Sequence, residues 1–258
     1  MKAIIPRSSE DMREVPDASA QLVLTSPPYW GPESEAALHA PRKAQLAEAE
    51  VQAQLREFTR SLAPVVEEVC RVLSPHGSVV WQVKDLRFGG ALIPLSDWHS
   101  ALLQAAGLSL LGRVGWLAAR VRPEVLPGFS RAAERSKWHP LDPEYFLIFT
   151  KGQGLSPSTL PGAWEQELWE EAPRQEWVLP FWRLPRGFKR NNHPHASPAA
   201  PIRRFLKLLS DPGDLVVDPF AGGGNILREA RMLGRRVIGY EIQPHWAEVA
   251  QNSLNPLP

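Results

Sequence analysis

Short apolar runs closed by turn-forming residues recur along the chain, at 22–24, 78–83, 145–152, 215–217 and 236–240. Runs of this length bounded by Pro, Gly and polar residues predict buried strands. Between them the apolar positions fall at helical spacing. Phe58, Leu62, Val65, Val66 and Val69 lie within residues 33–73, a stretch rich in Ala, Glu, Gln, Leu and Arg, interrupted by Pro41 and Pro64. Ser74-Pro75-His76-Gly77 is expected to end that helix before the strand at 78–83. Further helices are expected over 92–110, starting near Pro94 and ending around Gly107, over the segment closing at Leu209, and over 226–233. Ile4-Ile5 and residues 114–118 add two short strands, while 152–190 shows many Pro, Gly and Trp and no period. Strands alternating with helices predict an α/β fold, a mostly parallel sheet with helices on both faces.

Composition narrows the class. The 258 residues are 43% hydrophobic and 22% charged, enough for one α/β domain with a modest insertion. No apolar run has the length of a membrane span, and MKAIIPRSSED lacks a signal-peptide core, so a cytoplasmic location is expected. The single cysteine, Cys70, excludes an internal disulfide and a multi-thiolate zinc site. Its helical setting, VVEEVCRVLS, reads as an inert half-buried thiol. Net charge is only +1, but its distribution is uneven. Residues 178–210 hold no acidic side chain and carry Arg183, Arg186, Lys189, Arg190, Arg203, Arg204 and Lys207, with Phe181, Trp182 and Phe188 among them. A second basic region spans 113–137, and 165–176 is acidic. A charge run is ordinarily a solvated face; one of a single sign interleaved with aromatics also fits a phosphate-contacting surface.

Two stretches carry chemistry. In Leu22-Val23-Leu24-Thr25-Ser26-Pro27-Pro28-Tyr29-Trp30 an apolar strand runs into two prolines, which cannot donate to a ladder and fix φ. Past that stop stand the Ser26 hydroxyl, the Ser26 and Pro27 carbonyls and the flat faces of Tyr29 and Trp30. Oxygens that accept from an amino group beside an aromatic face suit an amino-bearing ring, such as a base taken out of a nucleic-acid stack. The bland alternative is a Pro-Pro turn ending a core strand. In the second stretch, strand 215–217 reaches Asp218 and then Pro219-Phe220-Ala221-Gly222-Gly223-Gly224-Asn225, a glycine-rich turn opening a helix. The next strand ends in Glu241, where a carboxylate accepts from ribose hydroxyls. That is a nucleoside-cofactor half-domain. A dinucleotide enzyme is its natural competitor, but the G-x-G-x-x-G spacing is absent.

Ser-Pro-Pro-Tyr resembles the catalytic Ser/Asp/Asn-Pro-Pro-Tyr motif of the DNA amino-methyltransferases. D-P-F-A-G-G-G-N, 218–225, resembles their Asp-Pro-Phe-x-Gly-x-Gly-Thr cofactor motif. Further likeness lies in R-V-L-x-P-x-G at 71–77, in DPEYFLIFTKG, where Pro143 replaces a His, and in His193-Pro194 through Pro201 followed by Pro212-Gly213-Asp214. Pro6-Arg7 stand where the family has Gly-Asp, and Gln21 replaces the Asp before the motif strand. Catalytic motif first and cofactor motif last is the order of the β group of these enzymes. The resemblance implies a Rossmann-like methyltransferase fold using S-adenosylmethionine. It implies Ser26, Pro27, Pro28 and Tyr29 as catalytic residues, and Asp218, Phe220, Gly222, Gly224, Asn225 and Glu241 around the cofactor. Trp30 would flank the base, and Arg186, Lys189 and Arg190 would contact the substrate.

The implied partner is double-stranded DNA with a flipped target base, with no membrane and no metal; a homodimer is compatible with it. Residues 1–151 would form a catalytic half, 152–190 a short target-recognition insertion and 191–258 a cofactor half. Ser26 favours cytosine N4 over adenine N6, within a restriction-modification setting. The remaining readings are methylation of RNA or of a protein amide, and a non-catalytic nucleic-acid-binding module with a vestigial cofactor site. Methylation of cytosine C5 is disfavoured because its Pro-Cys loop is absent. His193 and His195 lack the companion ligands of a metal site, and Ser26 lacks a hydrolase elbow.

Overall fold

The computed structural model describes residues 3–30, 48–88, 91–118, 143–152, 176–184 and 197–254. Its strands are β1 (Ile4–Ile5), β2 (Ala20–Thr25), β3 (Leu73–Lys84), β4 (Leu86–Phe88), β5 (Ala91–Ile93), β6 (Leu108–Ala118), β7 (Glu144–Lys151), β8 (Phe181–Leu184), β9 (Leu215–Asp218) and β10 (Arg236–Tyr240). Its helices are α1 (Glu48–Ser61), α2 (Ala63–Val72), α3 (Leu95–Ala105), α4 (Ala199–Leu209), α5 (Asn225–Met232) and α6 (Pro244–Ser253). Eight strands form one sheet in the order β1-β10-β9-β2-β3-β7-β6-β8, and β4-β5 form a separate hairpin. Within the large sheet β7 alone runs against the rest. The expected α/β class and mostly parallel sheet are therefore observed.

Alternation along the central strands divides the interior into two layers. Val23, Val79, Trp81 and Val217 pack with Val51 and Leu55 of α1, Val65, Val66, Val69 and Val72 of α2, and Leu95 and Leu103 of α3. Leu22, Leu24, Val80 and Val216 pack on the other side with Ile202, Phe205 and Leu206 of α4 and Ile226 and Ala230 of α5. Helices on both faces leave the central strands buried on both faces, which is why they read as near-continuous apolar runs. A smaller cluster seats α6, through Ala247 and Ala250, on Ile4, Ala221 and Leu227.

The helix ends ahead of Ser74-Pro75-His76-Gly77 as expected, at Val72, but those four residues form an irregularity inside β3 and do not precede the strand. Leu73 pairs with Ala20, and the ladder resumes at Ser78 opposite Leu22. Gln21 holds it there, donating from Nε2 to the His76 carbonyl at 3.3 Å and accepting from Ser74 Oγ at 3.3 Å. A bulge needs such local partners because its extra residues lose the ladder bonds. The helix expected over 92–110 is the shorter α3, and the strand expected at 114–118 begins earlier, at Leu108. β8 falls within the range expected for the target-recognition insertion and pairs in parallel with β6.

Connections leave the two central strands in opposite directions. From β9 the chain passes through α5 to β10, while from β2 it passes through α1 and α2 to β3. Adjacent parallel strands with opposed connections leave a crevice beyond their carboxyl ends, where ligands bind in open α/β sheets. Those ends are Thr25 and Asp218.

Candidate active site

Both sequence motifs meet in that crevice. β2 and β9 are hydrogen-bonded neighbours, Leu22 opposite Val216 and Val23 opposite Val217. Thr25 Oγ1 donates to Asp218 Oδ1 at 2.6 Å in the interior, so the residue before Ser26 is tied to the acid that opens the glycine loop. The prolines release the chain from the sheet. Ser26 and Tyr29 are half-buried, Pro27 is buried and Pro28 is exposed.

Asp218 is fully buried, and burial pushes its carboxyl up to about 7, against the hydrogen bonds from Thr25 and the Phe220 amide that favour the ionised form. The Phe220 N–H donates to Oδ1 at 3.1 Å, and among the described residues Oδ2 has no partner. Across the loop, Glu241 Oε2 accepts from the Gly222 N–H at 2.9 Å and Oε1 from the Gln243 N–H at 2.8 Å. An ionised carboxylate offers about four acceptor sites, so these two amides leave capacity for two ribose hydroxyls. Asn225 Oδ1, at the first turn of α5, is also buried without a partner among the described residues. The orphaned Asp218 and Asn225 oxygens and the spare capacity of Glu241 suit a nucleoside cofactor, which brings hydroxyl and amino donors.

The glycines divide by role. Gly222 has φ 50° and Gly224 φ 79°, so the loop uses the left-handed region. A Cβ on Gly224 would meet Ser253 Oγ at 2.8 Å and Ala250 Cα at 2.9 Å. Close approach at Gly224 is therefore to helix α6, which positions the loop, rather than to a ligand.

Residues that the motifs did not announce complete the walls. Phe220 packs edge-on to Trp81, centroids 6.1 Å apart at 87°. Trp81 Nε1 donates to His99 Nδ1 at 2.8 Å, and burial lowers the His99 imidazole to about 4, keeping it neutral and able to accept. On the other flank Arg7 Nη2 donates to the Asp11 carbonyl at 2.8 Å and to Glu14 Oε2 at 2.6 Å, and Tyr240 Oη donates to the same oxygen at 3.0 Å. Glu14 thus ties the loop after β1 to the end of β10, and the arginine at the family's Gly-Asp position holds Glu14 in place. Position in sequence gave no sign of Trp81 or His99. Thr25 stood next to the motif but looked like one more strand residue.

Trp30 is only 7% exposed and lies in the larger core cluster, with Tyr240 and Trp81. Arg186, Lys189 and Arg190 lie outside the described residues, as do Phe188, His193 and His195. Within the acid-free stretch the structure corrects one expectation. Trp182 is core, packed on Phe146 and Phe205, because alternation in β8 turns it inward while Phe181 and Arg183 face out. Arg203 Nε bonds Glu229 at 2.5 Å, and Arg204 lies 5.0 Å above the Trp182 ring. Among the described residues there is no cluster able to hold a metal ion and no helix long and apolar enough to cross a membrane. The Cys70 thiol is half-buried on α2 and raised by burial, as an inert thiol should be.

An acceptor-rich turn and a glycine-loop nucleoside site at the switch point of a parallel sheet define a nucleoside-cofactor transferase. The chain belongs to the DNA methylase family of N6 and N4 amino-methyltransferases, whose model matches residues 20–252. Type II methyltransferase M.BglII of Bacillus subtilis is 27% identical over 262 residues, 95% of this chain and 66% of that enzyme's length, just short of two thirds of it. Type II methyltransferase M.MthZI of Methanothermobacter thermautotrophicus is 28% identical over 96% of this chain and 75% of its own. TTHA0409 from Thermus thermophilus, described as a candidate DNA modification methylase and solved with S-adenosyl-L-methionine, superposes with TM-score 0.69 at 26% identity, covering 98% of this chain and 96% of that one. PvuII DNA methyltransferase, cytosine-N4-specific, shares the fold, with TM-score 0.68 at 17% identity over 98% and 86% of the two chains.

Proposed function

We propose that this protein methylates the N4 amine of cytosine in double-stranded DNA at a specific site. The observation that carries it is the Thr25–Asp218 hydrogen bond between neighbouring strands, which fixes the Ser26 turn beside the cofactor loop. The exocyclic amine of cytosine is a poor nucleophile because the nitrogen lone pair is delocalised into the ring. Ser26 Oγ and the Pro27 carbonyl accept its hydrogens and favour a tetrahedral nitrogen, Pro28 holds the turn rigid, and Tyr29 stacks on the extruded base. Trp30 supports that wall. When bound, the cofactor supplies an electrophilic methyl on a sulfonium. Asp218, Phe220, Gly222, Asn225 and Glu241 would hold it, with Glu241 on the ribose, while Gly224 seats the loop on α6. Transfer of that methyl would leave the amine with a surplus proton, which would depart through the acceptors at Ser26.

Arg186, Lys189 and Arg190 contact phosphates, and 152–190 serves as the recognition insertion between a catalytic half, 1–151, and a cofactor half, 191–258. The setting is a restriction-modification pair in the cytoplasm. Serine at the head of the turn supports N4: it is a weaker acceptor than the aspartate commoner in N6-adenine enzymes of the family. Ser26→Ala should retain cofactor binding by calorimetry and lose methyl transfer by on the order of 100-fold. Nucleosides from treated DNA should contain N4-methylcytosine by mass spectrometry. N6-methyladenine alone would replace the base assignment and leave the enzyme class in place.

A further inference from the structure

Gln82 and Glu144 form a buried pair that neither motif includes. Gln82 is 3% exposed on β3 and Glu144 8% exposed on β7. Gln82 Nε2 donates to Glu144 Oε2 at 2.7 Å. That contact orients the amide, with its NH₂ facing the Glu144 oxygen that accepts from it. Oε1 is thereby turned away from Glu144, and no donor among the described residues reaches it. A buried acceptor left without a donor is costly and calls for an explanation.

Register supplies the location. Thr25, the last residue of β2, lies opposite Trp81 in the parallel ladder, so Gln82 stands level with Ser26. Leu24 and Val80 share one core layer, while Val23, Val79 and Trp81 share the other. Alternation carried one step further puts Gln82 and Ser26 on the same side of the sheet, the side of Leu24 and Val80.

We infer that Gln82 Oε1, held by Glu144, reads the amino edge of the target base. It accepts from the exocyclic amine together with Ser26 Oγ and the Pro27 carbonyl, the three acceptors sharing its two N–H groups. It rejects a base with a carbonyl in that place, since two acceptors would then face each other unpaired in a dry site. Adenine and cytosine pass this filter; thymine and guanine do not. Gln82 touches the substrate and Glu144 is a positioning residue. The inference rests on the Ser26 turn being the site of transfer.

The test uses the full chain, tritiated S-adenosylmethionine and unmethylated phage DNA. Gln82→Met should lower kcat on the order of 10- to 100-fold with cofactor KM unchanged. Glu144→Gln should cost less, about 2-fold, because the paired amides can then adopt either orientation and only one presents Oε1 to the amine. Combining Gln82→Glu with Glu144→Gln reverses the pair: the amide now at position 144 donates to the carboxylate now at position 82, which again shows an acceptor outward. This swap should recover most of the activity, and a purely structural role would not produce that recovery. Parent-like kcat in Gln82→Met, or a folded, cofactor-binding swap that stays inactive, overturns the inference while the parent's activity upholds the site. A parent that binds the cofactor and methylates no DNA overturns both.

Discussion

At the scale of single residues, two buried titratable groups act in opposite directions. Asp218 is raised from 3.8 to about 7, so the folded state holds its proton more tightly than the unfolded chain. The stability this gives is full below about pH 4 and is lost as pH rises through 7. His99 is lowered from 6.5 to about 4, so its contribution is full above 6.5 and is lost as pH falls toward 4. Between about pH 4 and 6.5 one group loses what the other gains, at up to about 1.4 kcal/mol per pH unit each. Relative to the parent, Asp218→Asn should therefore make stability rise more steeply with pH in that window, and His99→Gln should make it fall. Urea midpoints at about pH 4.5, 5.5 and 6.5 measure both slopes. Equal slopes in all three proteins would mean that neither group is buried as described. Asp218 was legible as a site residue from its place before the glycine loop. His99 was not, because its role arises from Trp81, a residue on a strand distant from it in sequence.

Elements were legible to the extent that their pattern was local. Strands β2, β3, β7, β9 and β10 announced themselves because burial on both faces makes continuous apolar runs. The bulge in β3 did not, since Ser-Pro-His-Gly carries the composition of a turn, and partners on the neighbouring strands, Gln21 on β2 and Thr150 on β7, keep it in the sheet. β8 was hidden for a similar reason: Phe181-Trp182-Arg183-Leu184 alternates correctly but sits among prolines and basic residues that suggested a surface. The helix after β10 matters most at this scale. Gly224 is held between Ala250 and Ser253 at a φ that an L side chain rarely adopts. Gly224→Ala should cost about 2–4 kcal/mol through combined strain and overlap. Because the loop hangs from this contact, cofactor affinity should fall with it. Thermal unfolding and calorimetry report the two effects, and a parent-like melting temperature would show that α6 does not brace the loop.

For the whole molecule, chain order and spatial order differ, and the difference makes the site. The N-terminal strand β1 pairs with β10 near the C-terminus, with Ile4 opposite Gly239, and the Ile4 N–H donates to Gln251 of α6 at 3.2 Å. Motifs near opposite ends of the sequence meet at the centre of that sheet through the β2–β9 pairing, as transfer between a bound cofactor and a base requires. Charge is distributed less simply. The acid-free stretch 178–210 suggested one continuous phosphate surface, but the fold breaks it: Trp182 is core, Arg203 pairs with Glu229, and Arg204 stacks on Trp182. A cation already engaged with a carboxylate or a ring releases little counterion when DNA arrives. DNA affinity should accordingly fall linearly on logarithmic axes with salt, and replacing Arg186, Lys189 and Arg190 together by Gln should reduce the slope by about 2–3. Replacing Arg203 and Arg204 by Gln should change it by less than about 1 and instead lower the melting temperature. Fluorescence anisotropy on a duplex between 50 and 200 mM salt measures the slopes, roughly the range over which such contacts dominate. A larger slope change in the Arg203/Arg204 variant than in the triple one would move the DNA surface onto helix α4.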